Sequence, residues 1–125
     1  MDKHQENYEK GLEVRRKLGV GVKPGPGQDE QHFRRTTETV FGEVWGDDRY
    51  LSLPERSLIT IACLVTMGGV EEQLRMHIQG ARRLGTSQER ILALINHLSF
   101  YAGFPKGSAA RRAAAEVFKQ EKQGG

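Results

Sequence analysis

The chain has 125 residues, of which 37% are apolar and 28% charged, and its formal net charge is +3. This length suits one domain with a modest core, so we predict a single domain over 1–125 whose stability is helped by subunit association. Acidic and basic residues are interspersed and form no basic stripe, which argues against nucleic-acid binding.

The cysteine content and the N-terminal segment indicate a cellular compartment. Cys63 is the only cysteine, so neither an internal disulfide nor a C-x-x-C redox pair can form. Because Cys63 falls in an apolar helical pattern, we interpret it as an inert small hydrophobe. Residues 1–10 are charged and lack a signal's apolar segment, and no apolar run approaches the ~20 residues of a membrane span. We therefore expect a cytoplasmic protein with no membrane partner.

The first third of the chain predicts two helices joined by a loop. Residues 2–18 place a thin apolar face among many charges, as in an amphipathic helix. The Gly- and Pro-rich run at 19–28 predicts a loop, and a connector is favoured over a mobile flap. The run lacks the GK[ST] signature of a phosphate loop. Apolar residues at helical spacing predict a second helix over 29–45, with Trp45 near its end.

Three helices with clear start and stop signals follow, and a fourth closes the chain. Ser52 begins a capping box with proline in the first turn, and the apolar run after it predicts a central, buried helix. Gly85 ends the next helix, and Thr86 begins a second capping box. The predicted ranges are 52–67, 71–84, 86–102 and 106–122. Residues 119–125 are predicted to be frayed. With no strand pattern, the sequence predicts an all-α fold of about six helices.

His77 is the strongest candidate for chemistry, since it falls within the apolar stripe of the helix over 71–84. An imidazole titrates near neutral pH, and burial tunes it further. For this histidine taken alone, a core ring satisfied by a carbonyl is the favoured interpretation. His97, beside Tyr101 on the next helix, could line the same cleft. No HExxH motif and no third ligand accompany His77, so no metal site is predicted.

Arg56, Glu43 and Trp45 are the other polar or aromatic candidates. Arg56 could bind a carboxylate through two parallel hydrogen bonds, or could form a surface ion pair with a nearby acid. The nearby acids are Asp47, Asp48 and Glu55. Glu43 and Trp45 could form one wall of a pocket, although a core position is favoured for Trp45.

Taken as a set, four segments resemble the carboxymuconolactone decarboxylase family of the alkylhydroperoxidase-like superfamily. They are FGEVW (41–45), ERSLITIACL (55–64), EEQLRMHIQGARRLGTSQE (71–89) and HLSFYAGFP (97–105). The resemblance covers about residues 29–120 and implies that superfamily's all-α helical fold, assembled as a homo-trimer or homo-hexamer. The peroxidase branch carries C-x-x-C-x-x-x-H, but Val70 and Gln73 occupy the cysteine positions here. Disulfide-linked peroxide reduction is therefore excluded.

The resemblance also implies an activity and assigns residues to it. The family decarboxylates γ-carboxymuconolactone to β-ketoadipate enol-lactone in protocatechuate catabolism, without a cofactor. His77 would be the proton donor or the partner of the enolate, Arg56 a carboxylate clamp, and Glu43 a group that orients an imidazole. The pocket would be lined by Trp45, His97 and Tyr101. Two alternatives stay open: a sibling lyase or isomerase acting on another lactone or enolisable acid, and a non-catalytic oligomeric binding protein.

Overall fold

The computed structural model describes residues 1–124, which contain helices and no strand. The elements are α1 (Lys3–Leu18), α2 (Glu30–Thr36), the π-helix π1 (Thr37–Val44), α3 (Leu53–Met67), α4 (Glu71–Arg83), α5 (Gln88–Ala102) and α6 (Phe104–Gly124). The prediction of an all-α fold of about six helices is confirmed. Within residues 1–124, no helix is both long and apolar enough to cross a bilayer. The chain divides into two compact units, a first unit over Met1–Arg56 and a second unit over Ser57–Gly125.

In the first unit, two capped helices flank the predicted loop. Asp2 caps α1 by accepting a hydrogen bond from the Gln5 backbone N–H at 2.9 Å. Gly19 ends α1 in the left-handed conformation, with φ of 74°, which glycine adopts without a steric penalty. Asp29 caps α2 by accepting from the His32 backbone N–H at 2.7 Å. The loop predicted over 19–28 is thereby confirmed.

The helix predicted over 29–45 changes its winding at Thr37, where α2 passes directly into π1. The Trp45 N–H donates to the carbonyl of Val40 at 2.9 Å, which is the five-residue hydrogen bond of a π-helix. The buried residues of π1, Thr37 and Gly42, are also five apart. The spacing of apolar residues indicates a helix here, but it does not separate the α from the π winding.

The second unit is built around an aliphatic core supplied by all four of its helical segments. α6 packs against both α4 and α5. The core residues are Ile61, Val65, Leu74, Ile78, Ala81, Ile91, Ile95, Ala110, Ala113, Ala114 and Val117. The alanines of α6 allow neighbouring helices to approach closely. At Gly107 the approach of α6 to α5 is closer still, since a Cβ there would collide with the hydroxyl of Ser99.

The prediction that α3 is a central helix, buried all round, is wrong for one side of the helix. One stripe, formed by Ser57, Ile61 and Val65, is buried. A second stripe is exposed: Ile59 is 54% exposed, Met67 is 62% exposed, and Cys63 between them is also at the surface. The apolar content of α3 therefore exceeds what this chain buries. Cys63, interpreted from the sequence as an inert small hydrophobe, lies at the surface.

Two predicted helix ends also differ from the structure. α5 is capped by Ser87, which accepts from the Arg90 N–H, while Thr86 is buried one residue earlier. The tail predicted to fray is helical through Gly124, and residue 125 lies outside the described residues. The C-terminal part of α6 is held by α4, because the Arg82 Nε donates to Glu121 Oε1 at 2.8 Å.

Candidate functional site

His77 lies on α4 at the edge of the stripe that packs into the core. Leu74, Ile78 and Ala81 on the same helix are buried, and His77 itself is half-buried. Burial lowers the pKa of His77 below its ordinary value of 6.5, because a low-dielectric environment disfavours the imidazolium. The ring is therefore neutral at pH 7, and a neutral imidazole donates from one nitrogen and accepts at the other.

His97 and Tyr101 are brought together on α5, one helical turn apart. Their ring centroids are 5.0 Å apart with a tilt of 33°, and both side chains are exposed, Tyr101 to 81%. Phe100 and Phe104 form a second ring pair beside them, at 5.2 Å. The pair His97–Tyr101 therefore belongs to an exposed aromatic face of the second unit.

A cavity of about 360 Å³ lies at the turn between α3 and α4, N-terminal to His77 on the chain. Its wall is largely apolar and includes Val70 and Leu74, with Lys106 from α6 as its cation. The Lys106 ammonium donates to the carbonyl of Thr66 at 2.8 Å, which ties α6 to the end of α3. Of the two positions compared with cysteines in the sequence, Val70 is the N-cap of α4 and lines this cavity, and Gln73 lies in the first turn of α4.

In the first unit, Trp45 follows directly after π1 and is 6% exposed. Its ring packs against Phe41 with a centroid distance of 6.0 Å and a tilt of 39°. The side chain thus contributes to the interior of the molecule, in line with the core interpretation favoured from the sequence.

Glu43 lies on π1 and is exposed, but its carboxylate is held by α1. The Asn7 Nδ2 donates to Glu43 Oε1 at 3.3 Å, and Asn7 itself is 5% exposed. Because an ionised carboxylate accepts but does not donate, this contact fixes which end of the Asn7 amide points at Glu43. Both residues border a polar cavity of about 500 Å³ whose charged lining also includes Lys3 and Lys10.

Arg56, in the first turn of α3, is half-buried and oriented by the backbone of the preceding turn. Its Nη2 donates to the carbonyl of Asp47 at 2.8 Å. The carboxylate of Asp47 is engaged by Arg49 instead, with Oδ2 2.8 Å from Nη2, and this pairing lowers the pKa of Asp47 well below its ordinary range. Arg56 thus contacts Asp47, one of the acids considered for it, through the main-chain carbonyl of that residue.

Arg15 and Asn7 are polar residues of α1 that sequence reasoning missed. Arg15 is 6% exposed, its Nε donates to Thr37 Oγ1 at 2.8 Å, and its guanidinium lies 4.2 Å from the ring centroid of Phe33. Burial lowers the pKa of Arg15. The available signal was Gly11 between these two residues, because a glycine inside a helical pattern often marks close backbone approach.

Across residues 1–124, no three His, Cys, Asp or Glu side chains are grouped for metal binding.

The fold and these residues define a class of protein. It is an all-α protein with a half-buried histidine on α4 and, by sequence, a single cysteine. The model of the carboxymuconolactone decarboxylase family matches residues 30–116. A 4-carboxymuconolactone decarboxylase from Acinetobacter baylyi (strain ATCC 33305 / BD413 / ADP1) is 37% identical over 126 residues, covering 92% of this chain and 89% of that protein. The chain belongs to the carboxymuconolactone decarboxylase family.

This membership confirms the family and the carboxy-lyase class predicted from the sequence. Within each unit, the structure brings together His97 with Tyr101, and places Trp45 next to the π-helix that carries Glu43. The roles predicted for His77, Arg56 and Glu43 stay predictions.

Proposed function

We propose that the protein decarboxylates γ-carboxymuconolactone to β-ketoadipate enol-lactone, in the catabolism of protocatechuate and without a cofactor. Support comes from membership of the family and from the 37% identity to a protein named for that activity. The observation that carries the proposal is His77, a half-buried imidazole whose pKa burial lowers.

The reaction needs an electron sink and one proton. The C–C bond to the ring carboxylate breaks, CO2 leaves, and the electron pair moves through the ring alkene into the lactone carbonyl. The resulting enolate then takes a proton, derived from solvent, at the carbon α to that carbonyl, which leaves the double bond shifted by one position. A site for this chemistry must hold the enolate oxygen with fixed donors and exclude water.

The lowered pKa of His77 supports one of its two proposed roles, that of the enolate partner. A neutral imidazole N–H can donate a hydrogen bond to an enolate oxygen, as neutral histidines do in other enolising enzymes. Full proton transfer from the neutral ring would create an imidazolate and is unfavourable. We therefore assign His77 as the enolate partner, Arg56 as the carboxylate clamp and Glu43 as the group that orients an imidazole. The pocket-lining assignments of Trp45, His97 and Tyr101 are part of the same proposal.

We further propose that the protein acts in the cytoplasm as a homo-trimer or homo-hexamer, with a small organic acid or lactone as its ligand. The exposed apolar stripe of α3 and the aromatic face near Phe100, which is 75% exposed, support self-association. Light scattering coupled to gel filtration measures the oligomeric state.

The substitution His77→Gln tests the proposal, since glutamine is polar and of similar size. With γ-carboxymuconolactone as substrate, we expect kcat to fall by about 100-fold or more in an assay of CO2 release. The matched control is His32→Gln, on the exposed surface of α2, which should keep wild-type turnover. Turnover by His77→Gln within about threefold of wild type would remove His77 from the chemistry.

Absence of CO2 release from the wild-type protein would instead reject the substrate. The same assay with other lactones and enolisable acids would then distinguish a sibling lyase from a binding protein.

A further inference from the structure

The backbones of α1 and π1 cross at glycines, closer than side chains would allow. A Cβ at Gly11 of α1 would collide with the carbonyl oxygen of Thr37, and a Cβ at Gly42 of π1 would collide with the carbonyl oxygen of Asn7. Each helix thus contributes a glycine to the crossing, and each glycine faces a main-chain atom of the other helix. The contact is specific to one register, because sliding either helix by a residue would replace glycine with a larger side chain.

The π winding determines which side chains of π1 reach α1. Backbone hydrogen bonds in a π-helix join residues five apart, so side chains five apart lie on similar faces. Glu38 and Glu43 have this spacing, and both contact α1. Glu38 Oε1 pairs with the Nδ1 of His4, and Glu43 Oε1 accepts from the Nδ2 of Asn7. The two partners on α1 are three apart and so share a face as well.

At the other end of the crossing, Arg15 joins α1 to the junction of α2 and π1. Its Nε donates to Thr37 Oγ1 at 2.8 Å and its Nη2 to Thr36 Oγ1 at 3.3 Å. The guanidinium lies between two aromatic rings, 4.2 Å from the centroid of Phe33 and 4.6 Å from that of Phe41. Because the α-to-π change occurs between Thr36 and Thr37, Arg15 binds the side chains on both sides of it.

We infer that α1 holds Thr37–Val44 in its π-helical register and that Asn7 is a positioning residue for the carboxylate of Glu43. This inference rests on the proposed function for the role of Glu43, whereas the coupling between Asn7 and π1 can be measured without substrate. Of the contacts at the crossing, the Asn7–Glu43 hydrogen bond is the one that reaches a predicted site residue. Its donor is 5% exposed and its acceptor is charged, so we expect its loss to matter more than that of a neutral surface contact.

The substitution Asn7→Asp, which keeps the side-chain shape, tests the inference because it places a carboxylate against the carboxylate of Glu43. We expect amide hydrogen exchange within 37–45 to become about tenfold faster, and the fluorescence of Trp45, the only tryptophan, to change. With γ-carboxymuconolactone, we expect kcat to fall by about tenfold with little change in KM.

The double variant Asn7→Asp with Glu43→Gln restores a hydrogen bond with its direction reversed, since the glutamine amide can donate to the aspartate. Exchange within 37–45 should return to the wild-type rate, whereas activity should stay low if the Glu43 carboxylate is needed. The matched control is Glu13→Gln, which changes the charge of α1 at an exposed residue paired with Arg16 on the same helix.

Unchanged exchange in Asn7→Asp, or no recovery in the double variant, would overturn the inference. If Asn7→Asp does not fold, Glu43→Ala at the exposed partner makes the same measurement, and unchanged exchange there has the same meaning. Failure of the proposed function is a separate result. If the wild-type protein has no decarboxylase activity, hydrogen exchange still measures whether Asn7 is coupled to residues 37–45.

Discussion

The two units of this chain bury different kinds of side chain. The interior of the second unit is mainly aliphatic and is built by α3, α4, α5 and α6, and its buried polar residues are the small hydroxyl side chains of Ser57, Thr86 and Ser99. The first unit has four apolar residues of comparable burial, Val14, Leu18, Phe33 and Trp45, and alongside them it buries Asn7, Arg15 and Thr37. Its helices are held by hydrogen bonds, ring contacts and crossing glycines as much as by apolar area.

This difference sets how each unit should respond to substitution. An aliphatic core tolerates exchanges that keep its volume, because its contacts are non-directional. A buried polar contact has fixed geometry, and removing one partner leaves the other desolvated and unsatisfied. We therefore expect the first unit, which carries Glu43 and Trp45, to be the less tolerant of conservative changes.

The largest expected effect is that of Gly11→Ala. A Cβ at this position meets the carbonyl of Thr37, which belongs to the backbone and cannot rotate away. Separating the two helices would strain the contacts on either side of the crossing, so we expect a loss of ~3 kcal/mol in the free energy of unfolding. Urea denaturation followed by circular dichroism measures it.

Gly25→Ala is the matched control, since its Cβ would meet nothing closer than the Gln28 side chain at 3.8 Å. This loop variant should stay within about 0.5 kcal/mol of wild type. Equal stabilities for the two alanine variants would show that the crossing of α1 and π1 adapts, and that the comparison between the units is wrong at this point.

A smaller effect is expected from Arg15→Lys, which keeps the charge. Lysine lacks the planar fork that lets Arg15 donate to Thr36 and Thr37 while stacking on two rings. We expect a loss of about 1–2 kcal/mol in the free energy of unfolding, measured by urea denaturation. Arg16→Lys, at an exposed residue that contacts Glu13 on its own helix, should change stability by less than about 0.5 kcal/mol. If Arg15→Lys left the free energy of unfolding unchanged, contacts that lysine can also make, rather than the planar geometry of the guanidinium, would account for the role of this residue in the first unit.

The sequence predicted helices and apolar stripes better than it predicted side-chain contacts between distant residues, and the reason is physical. Periodicity and capping residues report burial and helix ends, so the stripe of Leu74, Ile78 and Ala81 was recognised from spacing alone. The contacts of Asn7 and Arg15 join residues more than 20 positions apart, and no local pattern reports which donor meets which acceptor. The five-residue winding of π1 was missed for the same reason.

Among the site residues, the sequence placed His77 with the inward-facing stripe of α4, because helical periodicity determines that face, and the structure leaves it half-buried at the edge of the stripe. It did not predict that His97 and Tyr101 are exposed, since they flank an apolar stripe that is only partly covered by this chain. The same limit explains α3, where an apolar sequence predicts burial without indicating what provides it. Which residues act on the substrate depends on chemistry and not on periodicity, so family resemblance was needed for that step.

The smallest expected effect distinguishes the units by the sign of their pH dependence. Burial lowers the pKa of His77 below 6.5, so the unfolded state binds the proton more tightly than the folded state does. The stability that this ring contributes is complete above pH 6.5 and is lost as the pH falls below it. A single proton limits the slope to about 1.4 kcal/mol per pH unit.

His4 in the first unit has the opposite sign, because its hydrogen bond to Glu38 raises its pKa above 6.5. Its contribution is present below pH 6.5 and is lost as the pH rises through the folded-state pKa. We expect His77→Gln to flatten the acid side of a plot of unfolding free energy against pH between about pH 5 and 8, and His4→Gln to lower stability on that side. Because His4 is exposed, its effect should be the weaker one and should shrink with added salt. If both variants changed the curve with the same sign, the two histidines would not differ in environment, and the neutral form assigned to His77 would lose its physical basis.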